Sequence, residues 1–375
     1  MKKVLTIAIV ALLATATVFA GVNFGGKFTG GYVLNWHEDD NGDWDYYGYQ
    51  YGTDGIATGD AALSLSVKDD NGFWSLGFDY VKEFGDGDAN ADFTLNLDKI
   101  IGAQMGTELP VTLALGVGIN GRQSGLRAYS NNSGHNFDRI RTNPDIVNFE
   151  RATDPKPTTA SFVTLTVGYE DFFKVNGAVT PMKVDGDILA VVGALITPIN
   201  GVAVSANYVY NGHIATGVKE NIPAENLFSA AADINIGELI DADFSIGASV
   251  AYAFADTDDT LGDPTNQLAA TVYGGIDLID AYVEYAGMYI GDETTNFLEV
   301  GVNLNVVKDL ALNAYFGMGD MEHADDTYYV GATVGYDLAG VGLELNVEYN
   351  EQGRFGYGDD SIKGFSITPS VSVSF

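Results

Sequence analysis

Apolar and polar residues alternate with a period of two along almost the whole chain from residue 22 onward. Segment 244–254 is typical, because its apolar residues occupy every second position: Phe244, Ile246, Ala248, Val250, Tyr252 and Phe254. Successive side chains of a β-strand point to opposite faces, so the pattern predicts strands with one apolar face. Helical spacing of comparable length is not found in the sequence, and the chain is predicted to be all-β.

The alternation predicts about eighteen strands, and a count of sixteen also fits the pattern. Most are roughly twice the usual strand length of about five or six residues. The predicted strands lie near 22–35, 57–68, 73–83, 91–100, 109–120, 159–169, 172–183, 187–197, 201–211, 226–237, 242–255, 267–278, 280–290, 296–307, 309–319, 326–337, 340–351 and 362–375.

The connections between these strands alternate in length. One set is short and rich in turn-forming residues, as in KDDNG at 68–72 and TPING at 197–201. The other set is mostly longer and acidic, as in HEDDNGDWD at 37–45. Tight turns at one rim and long loops at the other are typical of an antiparallel up-and-down β-barrel that crosses a membrane.

A soluble β-sandwich would also show alternation, but it would not need so many long strands. A bilayer requires tilted strands of about 9–11 residues, and closure removes the unpaired strand edges that lipid cannot solvate. The sequence therefore favours a closed transmembrane barrel over a sandwich.

The N-terminus, MKKVLTIAIVALLATATVFAG, has two lysines, an apolar stretch and small residues before Gly21. This order predicts a signal peptide over 1–20, and the alternative is a retained anchor helix. The remaining residues, 21–375, are then a single barrel domain.

The chain has no cysteine, which excludes disulfides and thiolate metal sites. Its net charge of −33 argues against nucleic acid as a partner.

The chain ends in SITPSVSVSF, with apolar residues at every second position back from a terminal aromatic residue. With the leader, the alternating strands and the two kinds of connection, this ending resembles bacterial outer-membrane β-barrels of the porin type. The resemblance implies an outer-membrane location, contact with lipid, and an assembly signal read by the barrel-insertion machinery through Phe375, Val373 and Val371. Pro369 departs from the usual apolar residue and suits a closing strand.

The third long connection, 120–158, holds five of the six arginines of the chain. In proteins resembling general porins, the third loop folds into the channel and narrows it. We therefore predict that this segment supplies the basic side of a pore constriction: Arg122, Arg127, Arg139, Arg141, Arg151 and Lys156. The alternative is a surface loop whose arginines pair with its own carboxylates at 138, 145, 150 and 154.

An acidic wall that faces these arginines would create a transverse field across the pore. The strand register predicts carboxylates pointing into the lumen at seven positions: Asp79, Asp233, Asp277, Glu284, Glu299, Glu344 and Glu348. The acidic loops lack the ligand spacing of a calcium site, and the four histidines have no metal-binding spacing. Neither a metal nor a cofactor is predicted.

These features predict a porin through which small hydrophilic solutes and ions diffuse passively. A substrate-specific channel, for a sugar or another nutrient, and a surface adhesin or structural barrel remain as alternatives. No arrangement of residues points to an enzyme. The resemblance is also compatible with a homotrimer of barrels.

Overall fold

The computed structural model shows one β-sheet that closes on itself. The predicted leader 1–20 and nearly all of segment 120–158 lie outside the residues that the structure describes. The described residues are 21–31, 34–38, 42, 44–48, 61–82, 87–119, 126, 128, 162–180, 188, 190–214, 222–257, 265–290, 293–307, 309–321, 324–350 and 364–375.

The sheet contains twenty strand segments, numbered in chain order. The first ten are β1 (Val22–Gly31), β2 (Leu34–Glu38), β3 (Trp44–Gly48), β4 (Ala61–Asp69), β5 (Trp74–Lys82), β6 (Gly87–Asn96), β7 (Val111–Ile119), β8 (Phe162–Tyr169), β9 (Phe173–Val179) and β10 (Ala190–Ile199). The other ten are β11 (Val202–Ile214), β12 (Ile222–Asn235), β13 (Phe244–Thr257), β14 (Thr265–Ile276), β15 (Ile279–Ile290), β16 (Glu293–Val307), β17 (Leu310–Met321), β18 (Ala324–Leu338), β19 (Val341–Asn350) and β20 (Gly364–Ser374).

The barrel has eighteen spanning strands, because two of them are each divided into two segments. Gly31 pairs with Ser370 and Leu34 pairs with Ile367, so β1 and β2 keep one register against β20 and form one strand. Similarly, β3 and β4 both pair with this first strand, on either side of residues 49–60. All neighbours are antiparallel, and the prediction of an all-β up-and-down barrel is confirmed.

The predicted strands agree closely with the observed ones, except at β3, where a connection was expected, and after β6. The strand expected over 91–100 ends at Asn96, and a helix, α1 (Leu97–Met105), follows it. Gly106 ends the helix in the left-handed conformation, φ 70°, with its N–H bonded to the carbonyl of Ala103. The strand predicted over 91–100 was therefore wrong for its last four residues, because a helix of nine residues is too short to show a clear period in the sequence.

Most of the short connections lie at one rim, which we call the turn rim; the two-residue connections after β15 and β17 lie at the opposite rim. Five residues other than glycine have positive φ at the turn rim, and three of them are aspartates, which tolerate this conformation: Asp241, Asp277 and Asp309. A second short helix, α2 (Ile236–Leu239), connects β12 to β13 at this rim. None of the helices in the described ranges is long and apolar enough to span a membrane. The opposite rim, with most of the longer connections, is the loop rim.

The outward face of the sheet is apolar and exposed. On β8, for example, Val163, Leu165 and Val167 are each more than a third exposed, whereas the alternate residues point inward. The same apolar band continues around the barrel on β13, β16 and β18. Such an outer face is stable only when lipid covers it, which is the arrangement of transmembrane barrels.

The last residue helps to close the barrel. The backbone N–H of Gly26 donates to the carbonyl oxygen of Phe375 (2.8 Å), and the N–H of Phe375 donates to Gly26 (3.0 Å). The ring of Phe375 stacks on Phe24 with centroids 6.1 Å apart. The C-terminal strand therefore pairs with the first strand, as the sequence predicted.

Candidate functional site

The inner wall of the barrel is polar. The pairing register places small hydroxyl and amide side chains on the inner face of most strands, among them Ser64, Thr94, Thr166, Ser205, Asn207, Ser249, Thr271, Asn303, Asn346 and Ser366. A barrel of 16 to 18 strands is wide enough to leave an aqueous channel. The wall is thus suited to contact with water.

A cluster of tyrosines and glutamates lies on the inner wall of β15–β19. Glu299 is fully buried and accepts hydrogen bonds from two tyrosine hydroxyls: Tyr282 donates to Oε1 (2.8 Å) and Tyr329 donates to Oε2. Glu348 accepts a bond from the hydroxyl of Tyr315 at 2.6 Å. Charge-assisted bonds of this kind are among the stronger hydrogen bonds in proteins.

Asparagine extends this cluster along the wall. Asn346 Nδ2 donates to the Tyr315 hydroxyl (3.1 Å) and to Thr333 Oγ1 (2.8 Å). Asn313 Nδ2 donates to Asn303 Oδ1 at 2.5 Å. The polar groups of β16–β19 therefore hold one another in fixed orientations, which makes this part of the wall rigid.

Each of these tyrosines lies over a glycine on the neighbouring strand. Tyr282 pairs with Gly301, Tyr329 with Gly317 and Tyr315 with Gly331, and a methyl group on any of these glycines would overlap the ring. The missing side chain lets the ring lie flat along the wall and reach the next carboxylate. We call these three pairs the Tyr–Gly pairs.

The charges on the wall are distributed unevenly. Strands β10–β20 contain no lysine or arginine, whereas the described side chains of their inner face include seven carboxylates: Asp233, Asp280, Glu284, Glu299, Asp337, Glu344 and Glu348. The inner-facing lysines of the described strands are on β1, β4 and β9, at Lys27, Lys68 and Lys174. One arc of the wall is therefore acidic and the other is mixed.

Five of the inner-wall residues form a continuous row, which we call the acidic row. Asp233, Ser249, Thr271, Glu284 and Glu299 are directly opposite one another across β12–β16. Glu284 and Glu299 are both 0% exposed although they are neighbours of like charge. Such a pair is unfavourable unless hydrogen bonds or positive charges compensate it.

A second row lies beside the first, toward the loop rim, and consists of small residues. Ser205, Ala231, Ala251, Ala269 and Ala286 are directly opposite one another across β11–β15, and we call them the alanine row. Ala269 and Ala286 are 0% exposed. A short side chain on an open wall would be wet, so other atoms must cover this row.

Ala128, from segment 120–158, contacts Ser205, the first residue of the alanine row. Its backbone N–H donates to Ser205 Oγ at 2.8 Å, and both residues are buried. Because Ser205 points into the lumen, Ala128 lies inside the barrel wall. This contact is the structural link between the long third connection and the lumen.

The structure places most of the predicted wall carboxylates on the inner face. Asp79 and Glu344 are exposed to the lumen, Asp233 is half-buried, and Glu284, Glu299 and Glu348 are buried. Asp277 lies instead in the turn that follows β14, with φ 53°, and is not part of the wall. The six basic residues predicted for the constriction are outside the described residues.

Sequence reasoning missed the tyrosines of the wall. Tyr282, Tyr315 and Tyr329 occupy inner positions, whereas aromatic residues of transmembrane barrels usually lie near the membrane boundary. The glycine directly opposite each tyrosine on the adjacent strand would have indicated these inner positions. Recognising it requires knowledge of how the two strands are paired. Within the described ranges, no three acidic or histidine side chains converge to hold a metal ion.

Comparisons with known proteins identify the fold. No family model matches the sequence, and no curated protein matches it. Solved structures do match: outer membrane protein OprD from Pseudomonas aeruginosa is 7% identical with a TM-score of 0.55, covering 94% of each chain. The chain has the fold of a porin-type outer-membrane β-barrel.

Two further structures from Pseudomonas aeruginosa are similar over the same extent. OccK9 (OpdG) is 10% identical with a TM-score of 0.56, covering 94% of this chain and 98% of its own. OccK11 (OpdR) is 9% identical with a TM-score of 0.55, covering 95% of each chain. At this level of identity the likeness concerns the fold alone.

Proposed function

We propose that the protein is an outer-membrane channel through which small hydrophilic solutes and ions diffuse, and that segment 120–158 narrows its lumen. The observation that carries this proposal is the hydrogen bond from Ala128 to Ser205 on the inner wall. A wide polar lumen supplies the path, and a segment that enters it sets the size limit.

The burial of the alanine row supports this course for the segment. Four alanines on adjacent strands form a flat strip in which backbone can approach closely, and Ala128 touches Ser205 at its end. Ala251 is only 1% exposed, although its neighbours on either side in the row are also alanines. A segment that continues from Ala128 along the row would account for this burial.

Charge complementarity supports it independently. The acidic row carries three carboxylates, and strands β10–β20 offer no lysine or arginine to balance them. Segment 120–158 carries Arg122, Arg127, Arg139, Arg141 and Arg151. Arginine is well suited to buried carboxylates, because its guanidinium group forms two parallel hydrogen bonds. The arginines of the segment would therefore face the acidic wall across the constriction.

A substrate-specific channel is the second candidate. It is favoured by two inner-wall atoms that are buried and have no hydrogen-bond partner among the described residues: Asn207 Oδ1 and Ser249 Oγ. Such atoms usually have a partner, and a bound solute could supply one. The wall would then bind a particular polar solute rather than pass many.

Conductance in a planar bilayer tests the proposal. The wild-type channel is expected to give large steps that depend only weakly on the solute, whereas small steps blocked by one solute would indicate the specific channel. An absence of conductance from folded protein would contradict both and would favour a structural barrel or adhesin.

The double variant Arg139→Ala, Arg141→Ala tests the constriction. Removing two positive charges leaves carboxylates of the wall facing the lumen, so the reversal potential should shift toward cation selectivity and the conductance should rise. Arg354→Ala is the matched control, because this is the one arginine outside segment 120–158. Unchanged selectivity and conductance in the double variant would show that the segment does not line the pore.

The proposed location is the outer membrane, after removal of a leader over 1–20. The apolar outer face of the barrel and the closing strand with Phe375 support this location. We further propose that the barrel-insertion machinery reads Phe375, Val373 and Val371 in the unfolded chain.

A further inference from the structure

A shallow, open groove lies on the outer surface of the barrel at the loop rim. It is lined by Trp36, Trp44, Tyr349 and Phe365 and has a volume of about 480 Å³. These residues come from β2, β3, β19 and β20, which meet where the sheet closes. The volume lies within the range of about 300–1,000 Å³ that is usual for small-molecule sites.

The pairing register shows that the groove faces away from the lumen. Trp36 pairs with Phe365, and Phe365 pairs with Tyr349 on its other side. The residues next to them in sequence, Glu348 and Ser366, are buried on the inner wall. Since successive residues of a strand point to opposite faces, the four aromatic side chains point to the membrane.

The aromatic rings are tilted toward one another rather than stacked flat. Trp36 and Phe365 have centroids 5.8 Å apart with an interplanar angle of 46°, and Trp44 and Tyr349 are 6.4 Å apart at 39°. Tilted rings on a curved sheet leave a trough between them. Among the residues that the structure describes, no charged side chain lines the trough.

The groove is continuous with the apolar band of the outer face. Tyr349 contacts Tyr328 (5.9 Å between centroids), and Tyr328 stacks on Phe316 (6.3 Å). Phe316 and Tyr328 are both more than a third exposed on the outer face. The trough therefore opens directly into the region that lipid chains occupy.

We propose that this groove binds one acyl chain of a membrane lipid, in the leaflet that meets the loop rim. A flexible hydrocarbon chain can follow the narrow trough and fill it, and the close fit gains dispersion contacts with the four aromatic rings. The groove lies at the ends of the strands at the loop rim. Indole and phenol rings suit this level, which is the boundary between acyl chains and head groups. A second copy of the chain would have to present a protruding ridge to fill the same space.

Tryptophan fluorescence tests this proposal, because the chain has three tryptophans and two of them line the groove. The variant Trp44→Phe, Trp74→Phe retains Trp36 in the groove. The variant Trp36→Phe, Trp44→Phe retains Trp74, which lies on the outer face near the turn rim and stacks on Phe93 (6.4 Å) outside the groove. Each folded protein is purified in detergent and titrated with dibrominated phosphatidylcholine, whose bromine atoms quench nearby indoles.

The expected result is a saturable loss of Trp36 fluorescence at about one lipid per chain, and only a gradual loss for Trp74 as lipid replaces detergent. Adding Phe365→Ala to the Trp36 variant should weaken the saturable phase about tenfold, because one wall of the groove is lost. Adding Phe93→Ala should leave it unchanged. Heat-dependent gel mobility confirms that each variant is folded.

Two results would overturn the proposal. Identical gradual curves for Trp36 and Trp74 would mean that the groove holds no lipid of its own. Trp36 fluorescence that lipid does not quench, in particles larger than one chain, would mean that a second copy covers the groove.

Discussion

At the scale of single residues, the buried carboxylates of the inner wall are the most constrained groups. Glu299 has no exposed surface, and two tyrosine hydroxyls donate to its two oxygens. A buried carboxylate that loses a hydrogen bond retains the cost of its removal from water. The stability of this part of the wall therefore depends on hydroxyl groups that the apolar pattern of the strands does not reveal.

Replacing Tyr329 by phenylalanine tests this dependence. The variant keeps the ring but loses the bond to Glu299, so we expect it to lower the free energy of unfolding by about 1.5–3 kcal/mol. Urea titration in lipid vesicles, followed by gel mobility, measures the change. Tyr336→Phe, on the exposed outer face, is the control and should stay within about 0.5 kcal/mol of the wild type. Equal effects of the two substitutions would contradict the assignment.

At the scale of the strands, the Tyr–Gly pairs lock adjacent strands together. Tyr282, Tyr315 and Tyr329 each cross to a glycine on the next strand. One pair joins β15 to β16, and two pairs join β17 to β18. Because a slip of one residue would turn the rings outward, the pairs also fix the register. The backbone hydrogen bonds between two strands would be similar in several registers. The Tyr–Gly pairs favour one register, because the rings fit only opposite these glycines.

Gly317→Ala is the test at this scale. The added methyl group would overlap the ring of Tyr329, and we expect a loss of about 1–3 kcal/mol in stability against urea in vesicles. Gly335→Ala is a matched control on the next strand, because a methyl group there meets nothing within 4 Å. If both variants unfold at the wild-type urea concentration, the Tyr–Gly pairs do not contribute to stability.

At the scale of the whole molecule, the sheet separates two solvents. The outer face presents apolar side chains to lipid, and the inner face presents hydroxyls, amides and carboxylates. Every backbone group of the spanning strands can pair with a neighbour because the sheet is closed. The barrel therefore needs no cysteine and no helical core to remain folded in a membrane.

The absence of native cysteine allows a direct test of this division. Ser64→Cys, on an exposed inner position, should react with a charged, membrane-impermeant thiol reagent in reconstituted bilayers, and the reaction should lower the conductance. Val163→Cys, 41% exposed on the outer face, should react only after the bilayer is dissolved. Equal reaction rates at the two positions in bilayers would contradict the assigned faces.

Much of this architecture could be predicted from the sequence. The strand expected over 242–255 is observed as β13, 244–257, because period-two alternation is strong in a sheet with lipid on one side and water on the other. The helix α1 could not be predicted, since its nine residues follow directly on a strand pattern. The division of the second strand around residues 49–60 also gave no signal in the alternation.

The candidate site was harder to predict from the sequence than the fold. Asp79, Glu284 and Glu299 could be assigned to the inner face, because each lies at a polar position of an alternating strand. The alanine row and the Tyr–Gly pairs could not be assigned, because they depend on which residues of neighbouring strands are at the same height. That information is contained in the pairing between strands and not in any one of them.

The uneven placement of lysine and arginine has an evolutionary consequence. Since strands β10–β20 carry only acidic charge, the ionic preference of the channel would be determined by substitutions in one connecting segment. Connecting segments tolerate sequence change far better than paired strands do. Under the proposed function, a lineage could thus exchange the solutes it admits by altering a few codons in that segment, while the paired strands of the barrel stay the same.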